Sequence, residues 1–540
     1  MQDELQFDYV IVGAGSAGCT LANRLTEDGR TRVLLLEAGG TGKRLDVSLP
    51  LAVSKLWPNP DITWGFLSEP EAKLNGRRLP VARGRMLGGT SSLNGMMAVR
   101  GHPADYDGWR DMGLPGWGFD DVLPYFRKLE NHWRGDTPLH GGAGPVSVQP
   151  HPSPSPLYPL AQQAAVSLGY NLTNDFNGER TDGFGMPDFT ITRRGRRAST
   201  AQAYLDPARR RPNLTVMTDA PVHRILIEDG RAGGVLFCVG DQERIARANA
   251  EVLLCGGAIN SPQLLMLSGI GPAADLRGLG ITPLVDSAEV GGNLQDHPGA
   301  AMEFELDRRW AFEEEVRFDR LATSLLRWFT TGKGVMGAPP LAISANVATQ
   351  PGNPEIDLHF LLVPLAMETR VWFPGIAPRH GSRLGAMWSL NYPHSRGRLT
   401  IASADPKAHP LIHFNLLSDP RDRAAMIHGY RTLRDLVAQP ALAAATGAMT
   451  RPSREPRSDA EILAHVRDTA MTAYHPSGTC RMGGDAQSVV DGALKVRGVS
   501  GLRVVDASIF PRLPGGNTNL PVIMTAEKAA DMIRRGDGPG

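Results

Sequence analysis

The first forty residues carry a glycine spacing that suits phosphate binding. Gly13, Gly15 and Gly18 form a G-x-G-x-x-G pattern, and Glu37 follows roughly 20 residues later. In such a turn the first glycine permits the bend, the second admits a pyrophosphate, and the third brings a helix close to a strand. The helix N-terminus offers free N–H groups to phosphate, and the carboxylate can accept hydrogen bonds from ribose. The pattern predicts dinucleotide binding and leaves NAD and FAD both open.

The elements around this pattern are those that must position it. Apolar runs at 7–12 and 32–37 predict buried parallel strands, and an alanine-rich run between them predicts a helix over 17–26. Strand, glycine turn, helix and second strand stand in the order of a βαβ unit, which favours a ligand site over a glycine-rich turn without a ligand. Further predicted elements are a short helix at 90–94, helix over 105–131, strands within 213–255, a helix over about 420–437, a strand at 502–506 and an amphipathic helix at 519–535.

Composition excludes several classes of function. The 540 residues are 41% hydrophobic and carry a net charge of +1, so no global field favours nucleic acid. Arginine clusters at 193–197 and 209–211 lack interleaved aromatic residues, and we predict no nucleic-acid partner. No apolar run approaches the ~20 residues of a membrane span. The first predicted strand begins at Phe7, which leaves no room for a signal peptide. We therefore predict a cytoplasmic protein and leave peripheral membrane association open.

Other catalytic constellations are not supported. The four cysteines form no C-x-x-C pair, and His394, His409 and His413 have no acidic partner at metal-ligand spacing, so we predict no metal site. Cys480 follows His475 by five residues, but no oxyanion element accompanies a Cys–His nucleophile. The sequence also has no G-x-S-x-G motif of a serine hydrolase.

Three further segments give the chain a specific resemblance. They read GRMLGGTSSLN at 84–94, GAINSPQLLMLSGIG at 257–271, and HPSGT at 475–479 with GNTN at 516–519. With the N-terminal pattern they make the chain resemble the glucose–methanol–choline family of FAD-dependent oxidoreductases, from Asp8 to Ile533. It looks closest to a bacterial choline-dehydrogenase-like branch that includes L-sorbose dehydrogenases, polyethylene glycol dehydrogenases and hydroxymethylfurfural oxidases.

The resemblance implies an α/β fold built from two parts. One is a discontinuous, Rossmann-like FAD-binding domain, expected over residues 1–158, 200–298 and 462–540. The other is an inserted α+β substrate-binding domain, an antiparallel sheet flanked by helices, expected over residues 159–199 and 299–461.

The resemblance also implies which residues hold FAD. Gly13, Gly15, Ser16 and Gly18 would bind the pyrophosphate, Glu37 the adenosine ribose, and the Val222 backbone the adenine. The remaining cofactor residues would be Ala38, Trp64, Arg85, Gly89, Thr90, Asn94, Gly95, Met96, Met97, Tyr474, Asp506, Ala507, Asn517 and Thr518. Relatives that bind FAD covalently have a histidine where this chain has Leu93. Because leucine cannot form that bond, we predict non-covalent FAD.

The implied reaction is oxidation of an alcohol to an aldehyde or ketone by hydride transfer to flavin N5. His475 would be the catalytic base, since its ordinary pKa suits proton transfer near neutral pH. Asn517 would be its catalytic partner, and a helix beginning near Asn519 would direct its positive end at the flavin. His297 is expected to be structural.

The acceptor and the substrate are less constrained by the sequence. Family oxidases often have valine where this chain has Ala473, which favours a dehydrogenase passing electrons to a quinone-like acceptor. The alternatives are an oxidase that reduces O2 to H2O2, a flavin-containing hydroxynitrile lyase, and a nicotinamide enzyme. Trp64, Tyr474, Phe373 and Trp388 are candidate pocket residues that suit an apolar or aromatic alcohol. Choline is disfavoured unless a glutamate such as Glu314 faces the pocket. The oligomeric state is left open.

Overall fold

The fold is described from a computed structural model that covers residues 4–349, 356–366 and 368–536. The outer ends of the expected domains at residues 1 and 540 lie outside the described residues, as do 350–355 and 367 of the expected substrate domain.

The strands fall into two large sheets and four small pairs. In chain order they are β1 Leu5–Val12, β2 Val33–Leu36, β3 Phe66–Leu67, β4 Pro80–Val81, β5 Glu130–His132, β6 Val146–Val148, β7 Gly183–Gly185, β8 Leu214–Met217, β9 Val222–Glu228, β10 Arg231–Val239, β11 Gln242–Leu254, β12 Ile270–Gly271, β13 Val285–Asp286, β14 Pro298–Leu306, β15 Ile343–Val347, β16 Leu358–Val363, β17 Arg383–Leu390, β18 Arg398–Thr400, β19 Leu411–His413, β20 Thr446–Arg451, β21 Met471–Thr472 and β22 Leu502–Val504.

The helices are interspersed with the strands along the chain. In chain order they are α1 Ser16–Leu25, α2 Leu45–Ser48, α3 Val53–Leu56, α4 Pro103–Asp111, α5 Phe119–Leu129, α6 Tyr158–Ser167, α7 Asp206–Ala208, α8 Gly257–Leu267, α9 Ala273–Gly278, α10 Phe318–Thr331, α11 Pro420–Val437, α12 Pro440–Ala443, α13 Asp459–Thr469 and α14 Asn519–Arg535.

The first large sheet is assembled from distant parts of the chain. Its order is β8-β2-β1-β11-β10-β9, with β22 also paired to β11. Strands β8, β2, β1, β11 and β22 run parallel to their neighbours, whereas β9 and β10 add an antiparallel edge. Strands β2 and β22 are buried at every residue, as is typical of strands inside a parallel sheet. This is the doubly wound arrangement that the βαβ pattern predicts.

The second large sheet is antiparallel. Its order is β20-β14-β17-β16-β15-β7, with β21 paired to β14. Inward and outward side chains alternate along β16, whose burial pattern switches at every residue. Helix α11 packs on β17 and is buried along one side. Residues of β14, β15, β16 and β17 line the cavity described below.

One local prediction is wrong. Residues 90–94 do not open a helix: Gly89–Ser92 form a single 3₁₀ turn, because Gly88 and Gly89 both have positive φ and end the regular backbone there. The prediction that residues 105–131 are mainly helical is confirmed, and the helical residues form two helices, α4 and α5, separated by Gly113 and Gly116 with φ of 85° and 82°. The predicted helices at 17–26, 420–437 and 519–535 are confirmed to within one residue.

Candidate active site

A cavity of about 1020 Å³ joins the two sheets. One end is lined by the last residues of three parallel strands, Val12, Leu36 and Leu254. The other end is lined by His475 and Asn517 and by side chains of the second sheet. Ligands of open parallel sheets bind beyond the carboxyl ends of the strands, which is where this cavity begins. Every residue predicted to touch the cofactor lines the cavity except Gly18.

The glycine turn shapes the nucleotide end of the cavity. Gly13 has φ of +98°, and a side chain there would lie 2.6 Å from the Cys255 carbonyl oxygen. A Cβ on Gly18 would lie 1.9 Å from the Gly13 carbonyl oxygen, which explains why this glycine packs helix to strand and does not line the cavity. Gly15 is less crowded, with its nearest Cβ contact at 3.9 Å. Helix α1 begins immediately after Gly15, so its free N–H groups face an open site.

Glu37 closes the nucleotide end. Its carboxylate accepts hydrogen bonds from the backbone N–H groups of Ala14 and Gly39, both at 2.9 Å. Burial raises the pKa of Glu37 to about 7, although these two N–H groups act in the opposite direction. The carboxylate is thus held at the end of β2, where an acceptor for ribose hydroxyls is required.

The second glycine-rich segment completes the same cradle. The Gly88 N–H donates to the Ala14 carbonyl at 2.7 Å, and a Cβ on Gly89 would lie 2.8 Å from Gly15 Cα. The N-terminus of α14 meets the cradle from the other side, because Ser16 Oγ donates to Asn519 Oδ1 at 2.8 Å. Two helix N-termini and two glycine turns therefore converge on one cavity, and this donor set fits the diphosphate of FAD.

At the reactive end of the cavity, a chain of hydrogen bonds links Pro514, His297, His475 and Asn517. His297 Nε2 lies 3.2 Å from the Pro514 carbonyl oxygen and must donate to it, so His297 Nδ1 is an acceptor. His475 Nδ1 lies 2.9 Å from His297 Nδ1 and therefore carries the proton of that bond. His475 Nε2 is left as an acceptor, and the Asn517 amide nitrogen donates to it at 3.1 Å. The pattern assigns the tautomer of His475 that has a basic Nε2 facing the cavity.

The electrostatic environment keeps both rings neutral. Burial, followed by the nearby His297, Arg83 and His359, lowers the pKa of His475 well below its ordinary value. Burial also lowers the pKa of His297 to about 3. A neutral imidazole with an unprotonated Nε2 is the form that can accept an alcohol proton. The contact agrees with the structural role expected for His297, whose ring positions that of His475.

Asp296 lies behind the histidine pair. It accepts a hydrogen bond from the His475 backbone N–H at 2.9 Å, while its other carboxylate oxygen is buried without a hydrogen-bond partner among the described residues. Burial raises its pKa to about 7.

Two predicted cofactor residues near this end, Met96 and Tyr474, have φ of 62° and 64°. Non-glycine residues are held in this region at an energetic cost, and such positions cluster at functional sites.

The second sheet adds a neutral polar patch that sequence reasoning missed. Ser344 Oγ and His359 Nε2 are 3.0 Å apart on the neighbouring strands β15 and β16, and both residues line the cavity. Burial lowers the pKa of His359 to about 4. Their spacing follows from strand alternation, but only the register of the two strands brings them together.

Some of the predicted pocket residues line the cavity and others do not. Trp64 and Tyr474 line the cavity; Trp388 also lines it but is 1% exposed, and its indole N–H donates to the Met426 carbonyl. Phe373 is not among the described lining residues and packs its ring against Phe318. Glu314 likewise lies off the described lining and pairs with arginines, with its carboxylate 2.7 Å from Arg308.

Charge along the cavity is mostly positive. The described lining residues include two carboxylates, Glu37 and Asp506, both predicted to hold FAD. Asp506 is committed to Ser261 Oγ at 2.6 Å and the Gly257 N–H at 2.8 Å. The same lining contains five cationic side chains, those of Lys55, Arg83, Arg85, Arg370 and Lys407. This balance fits an anionic dinucleotide and gives a cationic substrate no counter-ion.

Two cysteines, Cys480 and Cys238, lie near histidines in the sequence or in the fold. Cys480 is fully buried, and burial raises its thiol pKa well above the ordinary value, which opposes a nucleophilic role. His223, Cys238 and Glu243 lie on the neighbouring strands β9, β10 and β11, and their ligand atoms are within 4.8 Å of one another. Burial and Glu243 raise the pKa of the Cys238 thiol.

Comparison with known proteins decides the family. Two family models, both described as GMC oxidoreductase, match this chain, one over residues 7–299 and the other over residues 393–526. The chain belongs to the GMC oxidoreductases.

Relatives of this GMC oxidoreductase include oxygen-dependent choline dehydrogenases. That of Ectopseudomonas mendocina (strain ymp) is 43% identical over 539 residues, covering 98% of this chain and 94% of the relative. That of Pseudomonas aeruginosa (strain UCBPP-PA14) is 43% identical over 537 residues, covering 98% and 95%. Among solved structures, pyridoxine 4-oxidase from Mesorbium loti has a TM-score of 0.88 at 31% identity, covering 98% of this chain and 100% of that one. Formate oxidase from Aspergillus oryzae RIB40 has a TM-score of 0.91 at 29% identity, covering 99% of each chain.

These findings confirm the class of chemistry expected from the sequence. This GMC oxidoreductase is an FAD-dependent enzyme that oxidises alcohols. Its fold is the mixed α/β fold of FAD-binding relatives. Among the described residues, no helix has the length and apolar character needed to cross a bilayer.

The link between FAD and this GMC oxidoreductase is predicted to be non-covalent. Leu93 lines the cavity and has no group that can bond to the flavin. We expect acid precipitation of the yellow protein to leave all flavin in the supernatant, measured by its absorbance. Flavin that stays on the precipitated polypeptide would contradict the prediction.

Proposed function

We propose that this GMC oxidoreductase dehydrogenates uncharged, largely apolar alcohols, with His475 as the base and a quinone-like compound as the electron acceptor. The observation that carries the proposal is the hydrogen-bond chain Pro514–His297–His475–Asn517, which leaves His475 Nε2 basic and directed into the cavity. We also propose the domain ranges and cofactor contacts expected above, and a cytoplasmic location, and we leave peripheral membrane association open at this point.

The proposed proton transfer follows from the geometry of the two side chains. An alcohol hydroxyl placed between His475 and Asn517 donates its proton to His475 Nε2. The Asn517 amide, which donates to Nε2 at 3.1 Å, turns its N–H to the alcohol oxygen and holds it. FAD, when bound, supplies the acceptor for the hydride that leaves the carbinol carbon. The N-terminus of α14 beside Asn517 places a positive dipole end where negative charge develops.

The proposed substrate class follows from the walls of the reactive end. Apolar side chains from several elements line it, among them Met336, Leu341, Leu361, Val363 and Leu365. The nearby polar groups of Ser344 and His359 are neutral, and the described lining offers no carboxylate beyond those predicted to hold FAD. Burying a quaternary ammonium group without a counter-charge is costly. We therefore propose an apolar alcohol rather than choline, the substrate named for the bacterial relatives.

Anaerobic flavin reduction tests both the reaction and the substrate class. We expect octanol and benzyl alcohol to bleach the flavin absorbance, and choline at the same concentration to react at least about tenfold more slowly, because its cation would be buried without a counter-charge. Choline as the fastest substrate would overturn the proposed class. A lyase or a nicotinamide enzyme would show no bleaching with any alcohol.

The acceptor is tested separately. Ala473 lines the cavity two residues before His475, and its small side chain lacks the branching that the resemblance associates with oxidases. We propose that turnover with a soluble quinone analogue exceeds turnover in air. Rapid H2O2 production in air would favour the oxidase alternative.

A further inference from the structure

Exposed apolar side chains concentrate at one place on the surface. The three most exposed large apolar residues of the described chain are Ile376, Leu326 and Phe318, at 83%, 66% and 62%. Phe329 and Val371, at 50% and 36%, lie on the same two segments. These segments touch each other, because the Phe318 N–H donates to the Trp372 carbonyl and the rings of Phe318 and Phe373 pack edge to face. We call Phe318, Leu326, Phe329, Val371 and Ile376 the α10 patch. Such a contiguous apolar patch marks an interaction surface.

Helix α10 is amphipathic in the manner of an interfacial helix. Phe318, Leu326 and Phe329 share one face of the helix at 3.6 residues per turn. The opposite face is polar and carries the exposed Arg320 and Arg327. Helices with Phe and Leu on one face and Arg on the other lie in the boundary of a lipid bilayer. Asp319, the acid on this helix, is neutralised by Arg317 at 2.6 Å.

The inner side of the same helix belongs to the substrate cavity. Leu321 and Leu325 line the cavity, and Val371 of the α10 patch also does. Trp328 fixes the helix to the body of the protein, since its indole N–H donates to the Gly195 carbonyl at 2.7 Å. The α10 patch is therefore held in place at the rim of the cavity, so the same short helix has one side in the cavity and the other in solvent.

We propose that the α10 patch docks on a lipid bilayer surface, preferably an anionic one. Its apolar side chains would enter the boundary between headgroups and acyl chains, and Arg320 and Arg327 would remain at the headgroup level. Docking brings the rim of the cavity to the membrane, where apolar compounds partition. The inference goes beyond the proposed function and is independent of it, because docking can be measured without turnover.

Vesicle sedimentation tests the proposal on the FAD-loaded protein. With vesicles of equimolar phosphatidylcholine and phosphatidylglycerol, we expect most of the wild-type protein to sediment. The double variant Leu326→Glu/Phe329→Glu is expected to lose at least about tenfold in partitioning, because two carboxylates would enter the interface. Neither residue lines the cavity, so flavin content and turnover with a soluble dye are expected to match the wild type.

The controls distinguish docking by the α10 patch from nonspecific adsorption to vesicles and from self-association of the protein. Leu284→Glu changes another exposed leucine, 53% exposed, next to β13, and is expected to sediment like the wild type. Ile376→Glu provides a second variant outside the helix should the double variant fold poorly, and is expected to bind more weakly. Wild-type protein that stays in the supernatant, or a folded double variant that still sediments, would overturn the proposal. So would light scattering that shows a dimer broken by the double variant, with no vesicle binding.

Discussion

Replacing His475 with alanine is expected to slow flavin reduction by about 10²–10⁴ at saturating alcohol. The variant lacks the Nε2 acceptor that the chain from Pro514 through His297 keeps basic. Stopped-flow bleaching under anaerobic conditions measures the effect without interference from the acceptor. FAD binding is expected to persist, since the glycine turns and Glu37 lie at the other end of the cavity.

A matched control and a pH profile sharpen this test. His394→Ala removes an exposed histidine elsewhere in the chain and is expected to leave the rate unchanged. The base must be neutral to act, and the pKa of His475 lies well below its ordinary value. The wild-type rate is therefore expected to stay flat as pH falls from 8 to about 6, where a histidine of ordinary pKa would be mostly protonated. Wild-type-like reduction in the alanine variant would remove His475 from the role of base.

The second large effect is expected from Gly18→Ala. The added methyl would lie 1.9 Å from the Gly13 carbonyl oxygen, a contact that no rotamer change can relieve. Backbone must then move at the turn that faces the FAD diphosphate, and we expect FAD retention to fall by at least about tenfold, with a lower melting temperature. Flavin absorbance per protein after gel filtration measures the loss.

Gly108→Ala is the control for this substitution. Gly108 lies in the middle of α4, and a Cβ there meets nothing within 4 Å. Because alanine favours helix over glycine, this variant is expected to be as stable as the wild type or up to about 1 kcal/mol more stable, with full FAD content. Equal FAD retention in the two variants would show that close packing at Gly18 is not required.

Local sequence patterns predicted the elements whose signals are strong and short in range. The βαβ unit from β1 to β2 and the amphipathic helix α14 each follow from periodicity and glycine spacing within about thirty residues. The helix predicted at 90–94 failed because two consecutive left-handed glycines, Gly88 and Gly89, are needed to meet the first glycine turn. That requirement comes from a segment seventy residues away and has no local signature.

The residues of the candidate site likewise divide into those that the sequence predicts and those that only the tertiary fold brings together. His475 and Asn517 were predicted through a family resemblance, and the structure brings their side chains to 3.1 Å. The partnership of His297 with His475 joins residues 178 positions apart, and the pairing of Ser344 with His359 depends on strand register. Neither pairing is indicated by residue spacing in the sequence, because the tertiary fold alone brings the side chains together.

The order in which the segments of the chain are synthesised affects when FAD can be bound tightly. Ser16 in the first turn of α1 bonds to Asn519 in the first turn of α14, and Arg24 pairs with Glu527 along the same two helices. A chain still under synthesis has the phosphate turn but lacks the helix that completes its cradle. We therefore expect tight capture of FAD only after α14 has been synthesised and has packed against α1.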